Sequence, residues 1–480
     1  MSQNEAQQIP YVRPAEMRYE DLLPVGMKAR KQKQIFRPAN VGDYDPASNG
    51  KILLNLHGDM FLNARNSYLK FAVKTVNHTD TSADSQVNKA AGVALENSAH
   101  SFFANIVIRS GSREIERLSN YNLLHCALSD YTLNKDYRST SGSVMEGYGD
   151  GTVYKGGALG QAGTGEVSQG TVTSINQVKR NEVYMETGSE KVFCINILSG
   201  LLQSNRFIPM LALRGSSGLQ IELELADANQ CFVQNSGGTV SPALSYKMTG
   251  IEYHAECIHF SNDFNQMFLN KLMSDGGLQI HGVSYNSSVA HFDPENVGQQ
   301  HIGISHRFRS LKYLMAIQRN AAYVSDSSKR SLSCRLTNNL KAYHYEIGGQ
   351  KYPEYPVQCD VAKGLVGEAF AEIEKMFGKL GDRLNSSCVD RFNFAPQVAM
   401  GDHHKPEVNS RFMTGIELET YGSNNIEAGI DTANSSPSMN LVLDCAGGTD
   451  NTSKNSRLDS IACFDCLYQV NPDLTLSVAF

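Results

Sequence analysis

The chain has no tryptophan in 480 residues, although tyrosine (21) and phenylalanine (20) are common. Broad aromatic platforms are a frequent means of gripping sugar rings, so this absence counts against a carbohydrate-processing cleft. No apolar run approaches the roughly 20 residues that a helix needs to cross a bilayer. The opening, MSQNEAQQIPYVRP, lacks the basic and apolar regions of a secretion signal. No block of one charge occurs, and a net charge of −6 spread along the chain argues against wholesale nucleic-acid binding. The ten cysteines form no regular framework and are expected as reduced core residues in a reducing interior.

Catalytic signatures are lacking too. No GxSxG, HExxH or EF-hand pattern occurs. GYGDG and GGALGQAG are glycine-rich, but no GK[ST] follows and no strand-to-helix context surrounds them. Cys463 and Cys466 form a CxxC, yet IACFDCLYQV reads as a strand that turns Ala462, Phe464, Cys466, Tyr468 and Val470 to one face and Cys463 to the other. A zinc knuckle would have to break that pattern. Asp402, His403, His404 and Glu407 sit in a polar loop beside Gly401 and Pro406 and read as solvated. Sequons at Asn77, Asn286, Asn385, Asn434 and Asn451 matter only on a secretory route. No catalytic, cofactor-binding or metal-binding residue is therefore expected, and no small-molecule substrate.

What the chain does have is β pattern. In Ser204–Asp227 the residues Leu219, Ile221, Leu223 and Leu225 alternate with Gln220, Glu222 and Glu224, the period of a strand with one buried and one wet face. Similar alternation marks Ile52–Leu56, Leu69–Val73 and Phe193–Ile197, and Ser110-Gly111 joins a hairpin. In RFRSLKYLMAIQ both faces are apolar, which predicts a central strand. Tyr343–Ile347 pairs with Lys351–Tyr352 across Gly348-Gly349. Further strands are expected at Tyr246–Phe260, Phe412–Tyr421, Met439–Cys445, Ile461–Val470 and Leu474–Phe480. Helical spacing predicts helices over Asn120–Leu133, after a cap at Asn262 or Asp263, and over Val361–Leu380.

These signals divide the chain. Residues 1–35 read as an extended arm with Pro10, Pro14 and Pro24 and a basic cluster at Lys28, Arg30, Lys31, Lys33 and Arg37. Residues 36–260 and 261–480 each carry about eight strand signals, with short helices in the connections. Ser139–Gly170, with ten glycines, reads as a surface loop. The expected class is all-β, two consecutive eight-stranded jelly-roll β-sandwiches.

RFIPMLAL and GLQIELELAD in the first half, with YHYEIGGQKYPEYPV, FMTGIELETY, EAGIDT and MNLVLD in the second, resemble the double jelly-roll major capsid proteins of polinton-like viruses, virophages and large eukaryotic DNA viruses. The resemblance spans roughly residues 36–480, both halves in order. It implies a structural, non-enzymatic subunit that forms homotrimers, and pseudo-hexagonal capsomers tiling an icosahedral shell. The implied partners are further copies, penton and minor capsid proteins, and an internal membrane or the genome through the basic arm. The implied location is the virion capsid, assembled in the host cytoplasm or nucleus, and residues 139–170 would lie on the outer tower. Two other classes fit a β-rich chain: a β-sandwich carbohydrate-active enzyme or lectin, and a trimeric viral adhesin.

Overall fold

The computed structural model describes residues 28–40, 42–76, 93–148, 183–185, 190–234, 244–326, 332–333, 335–382, 387–395, 410–420, 428–434, 437–447 and 456–480. Eight strands build the first sandwich: β1 (Ala29–Phe36), β2 (Lys51–Leu56), β3 (Phe61–Val76), β4 (Phe103–Ser110), β5 (Arg113–Leu118), β6 (Glu190–Ile195), β7 (Leu219–Leu225) and β8 (Ser245–Phe260). Eight more build the second: β9 (Leu278–Phe292), β10 (Gly298–Gly303), β11 (Leu311–Asn320), β12 (Leu340–Ile347), β13 (Gln350–Gln358), β14 (Thr414–Glu417), β15 (Met439–Cys445) and β16 (Ser456–Val470).

In the first half, an antiparallel sheet of order β1-β8-β3-β6 accompanies one of order β2-β7-β4-β5. In the second, the orders are β9-β16-β11-β14 and β10-β15-β12-β13. The second set is the first with every number raised by eight. Each is the strand order of a jelly roll.

The side-chain pattern explains the layers. In β7, Leu219, Ile221, Leu223 and Leu225 are buried while Gln220, Glu222 and Glu224 are half-exposed. The strand pairs with β2 on one side and β4 on the other, so its apolar row lies mid-sheet on the core. β11 lies between β14 and β16, and Leu314, Met315, Ala316 and Ile317 are all fully buried. Apolar residues on both sides thus mark a strand covered on both faces.

Antiparallel order reverses the chain at every strand, so odd-to-even connections gather at one end of each sandwich and even-to-odd connections at the other. The former are long in the first half, at 37–50, 77–102, 119–189 and 226–244. Here this end is termed the crown. The opposite end, the base, includes two tight connections, 57–60 and 111–112. Helix α1 (Tyr121–Thr132) belongs to the crown, α2 (Asn262–Ser274) crosses the base between sandwiches, and α3 (Gly367–Met376) lies in the β13–β14 connection. A short strand at Leu476–Ala479 extends the second sandwich along β16.

Four expectations change, the first being the helix expected over Val361–Leu380, which is a turn at Val361–Lys363 followed by the separate helix Gly367–Met376. The arm expected over residues 1–35 loses its end, because Ala29–Phe36 pairs residue for residue with β8; residues 1–27 lie outside the described residues. Of the basic cluster, Lys31 and Lys33 share one face of this strand, where Lys31 meets Glu256 at 2.6 Å and Lys33 donates to the Tyr68 hydroxyl at 2.6 Å. At the start of the glycine-rich stretch, Ser141–Met145 is a helical turn and Tyr148 is buried; 149–170 lie outside the described residues. The cap of α2 is Ser261, whose hydroxyl accepts from the Phe264 N–H, one residue before the positions expected.

Candidate functional site

The two sandwiches meet along a seam that runs from base to crown, and close backbone approach begins it. A Cβ on Gly200, in the β6–β7 connection, would lie 2.7 Å from the Val283 carbonyl oxygen of β9 and 2.6 Å from the Tyr468 hydroxyl. A Cβ on Gly282 would run into the Gly200 carbonyl. One on Gly215 would meet the Asp473 carbonyl oxygen at 2.7 Å. Glycine is required here because backbone packs on backbone.

Further along, Glu116 of β5 is buried and becomes the shared acceptor of both halves. It accepts from the Ser199 hydroxyl at 2.5 Å and the Gly200 N–H at 2.8 Å, and from the Ser284 hydroxyl of β9 at 2.5 Å. A buried carboxylate is stable only when hydrogen bonds replace its hydration, and these donors do so. Above it, Ser287 donates to the Ser119 carbonyl at 3.0 Å.

At the crown, Asp130 of α1 collects three guanidinium groups. Arg138 approaches at 2.8 Å from the same half, and Arg335 and Arg411, each at 2.6 Å, come from the second. All four side chains are buried. Burial raises the Asp130 carboxyl, but Arg411, Arg335 and Arg138 outweigh it and hold it below its ordinary value. Tyr131 donates to the Arg411 carbonyl at 2.6 Å and stacks on Phe377, 5.9 Å between ring centres. Glu96 of the first half accepts from the Leu332 and Ser333 N–H groups of the second.

The seam's carboxylates tie the two halves together through hydrogen bonds and ion pairs. Among the described residues, no cluster of three or more His, Cys, Asp or Glu side chains could hold a metal ion. Cys463 and Cys466 are both buried in β16, and burial pushes both thiols up, that of Cys463 to about 12. Thiols so raised are poor ligands and nucleophiles. Asp402, His403, His404 and Glu407 lie outside the described residues, as do Asn77, Asn385 and Asn451. On the wet face of β7, Glu222 pairs with Lys51 at 3.2 Å and Arg109 at 3.3 Å, and Glu224 accepts from Asn105 at 2.8 Å. That polar row is the outer surface of a wall.

Solved structures share this fold along nearly the whole chain. A Sputnik virophage structure superposes with a TM-score of 0.59 at 9% identity, covering 99% of this chain and 94% of that one. PBCV-1 VP54 gives 0.56 at 10%, covering 96% and 99%. The mavirus major capsid protein gives 0.51 at 8%, covering 100% and 96%. The fold is the double jelly roll. No protein-family profile and no curated protein matches the sequence of this double jelly roll, so its likeness to these chains is one of structure.

Sequence reasoning found the walls of the double jelly roll but missed its seam. Glu116, Asp130, Arg335 and Arg411 carry no local motif.

Proposed function

We propose that this chain is the major coat subunit of an icosahedral virus, and that three copies close into a block of hexagonal outline. The observation that carries the proposal is the repeated strand order held rigid by the buried seam. Two equal sandwiches locked side by side supply two of six corners, and threefold closure of three such pairs completes the outline. β1 and β9 pair on one side only in their sheets. Unpaired edges invite uncontrolled association, and neighbouring copies in a shell would cover them. The protein acts as a building element in this reading, without an enzymatic step or a cofactor.

The crown faces outward and the base faces the interior of the virion capsid, where minor capsid proteins and a membrane or genome lie; penton proteins close the vertices. The domains follow as an arm over residues 1–27, a first jelly roll to Phe260 and a second from Ser261. Assembly takes place in the host cytoplasm or nucleus.

Sedimentation of the purified full chain and of a chain lacking residues 1–27 tests this. Trimers from both, with shells only from the full chain, are expected. Monomers from the full chain would contradict the trimer, and stable shells from the shortened chain would contradict the role given to the arm.

A further inference from the structure

The base of the first sandwich carries an aromatic cluster that the fold leaves partly uncovered. Phe61 packs edge-on against Phe260 and Phe268, at 5.3 and 5.0 Å between ring centres, and Phe264 lies 4.6 Å from Phe260. Phe260, Phe264 and Phe268 are only half-buried. In α2 Leu272 is the one buried residue, and Met267 is 60% exposed. Phe207, 45% exposed, adjoins the Ile208–Pro209 strand that pairs with Phe61 and Leu62. An apolar patch of this kind on a protein surface marks something that covers it.

The start of β1 lies beside this patch. Ala29 is the register partner of Phe260, so β1 starts one strand spacing from the cluster, about 5 Å. The residues just before it read Leu22-Leu23-Pro24-Val25-Gly26-Met27, an apolar run without a charge. Seven residues reach at most about 3.3–3.6 Å each, which spans the cluster and the first turns of α2. Apolar segment and apolar patch are therefore within reach of one another in the same chain.

We infer that residues 22–27 seat on the aromatic cluster and α2 of their own chain, with Leu22 and Leu23 against Met267. The arm would then project from the base beyond residue 22, and only residues 1–21 would be free for a partner. The inference stands on the fold and does not require the capsid reading.

Oxidation of methionine by dilute peroxide tests it in the full-length protein. Met145, 45% exposed and in the crown, is the internal reference. In the unaltered chain Met267 is expected to oxidise more slowly than Met145. The double substitution Leu22→Ser and Leu23→Ser is expected to accelerate Met267 several-fold and leave Met145 unchanged. A Met267 rate indifferent to the substitution would overturn the inference. Protection that vanishes on dilution would also overturn it, since a second copy would then be the cover, and so would protection present only with lipid vesicles.

Discussion

Asp130 and Arg335 stand 2.6 Å apart with both side chains buried, one on the first sandwich and one on the second. Two further guanidinium groups share the same carboxylate. Removing the carboxylate leaves three buried cations without their anion, and losing one partner of a buried pair costs about 3–5 kcal/mol. Asp130→Asn is expected to lower stability by at least that amount. It should do so by more than Arg335→Met, which leaves Asp130 two partners. Chemical denaturation of both variants checks the order.

The glycines of the seam give a second test. Gly200→Ala places a methyl 2.6 Å from the Tyr468 hydroxyl and 2.7 Å from the Val283 carbonyl, so the sandwiches must separate. Overpacking of this kind costs about 1–3 kcal/mol. Gly367→Ala, at the start of α3 with nothing within 4 Å, is expected to be neutral or to stabilise by up to about 1 kcal/mol. Thermal midpoints of the two variants are to be compared.

The two faces of β7 make a third contrast. Leu223 is fully buried, and Leu223→Ala is expected to cost about 2–5 kcal/mol. Glu222 pairs with partly exposed Lys51 and Arg109, and Glu222→Ala is expected to cost less than about 1 kcal/mol.

Acid acts through buried histidines. His306 is 1% exposed between Asn286 and Ser460, each 3.1 Å away, with Ser288 at 3.4 Å. Burial, then Arg307, lowers its pKa from 6.5 to about 4. Burial also pushes His125 well down, helped by His100 and Arg138. Between the two pKa values the unfolded chain binds the proton and the folded chain does not, so stability falls as pH drops from 6.5 towards 4. The slope is about 1.4 kcal/mol per pH unit for each such histidine. The Asp130 carboxylate, held below its ordinary value, loses its contribution only at still lower pH. Melting curves between pH 7 and pH 4 check the direction.

The legible part of the fold was the part with period two. β7, β15 and the β12–β13 hairpin have alternating or apolar sequences because one or both faces lie on the core. β9 and β10 were not legible. Their sequences, LQIHGVSYNSSVAHF and GQQHIG, carry glycine, serine and asparagine. In β9, Gly282, Ser284 and Ser287 serve the seam. β1 reads as an arm because most of its side chains are polar and exposed, while backbone pairing with β8 holds it in place. The seam itself could not be read: Asp130 and Arg411 meet only once the tertiary fold exists, and nothing local in either sequence records the partner.

Single-particle electron microscopy of the purified protein tests the coat-subunit reading most directly. The account predicts threefold particles with a six-cornered outline, each copy supplying two adjacent corners. Isolated single chains, or closed particles of another symmetry, would contradict it.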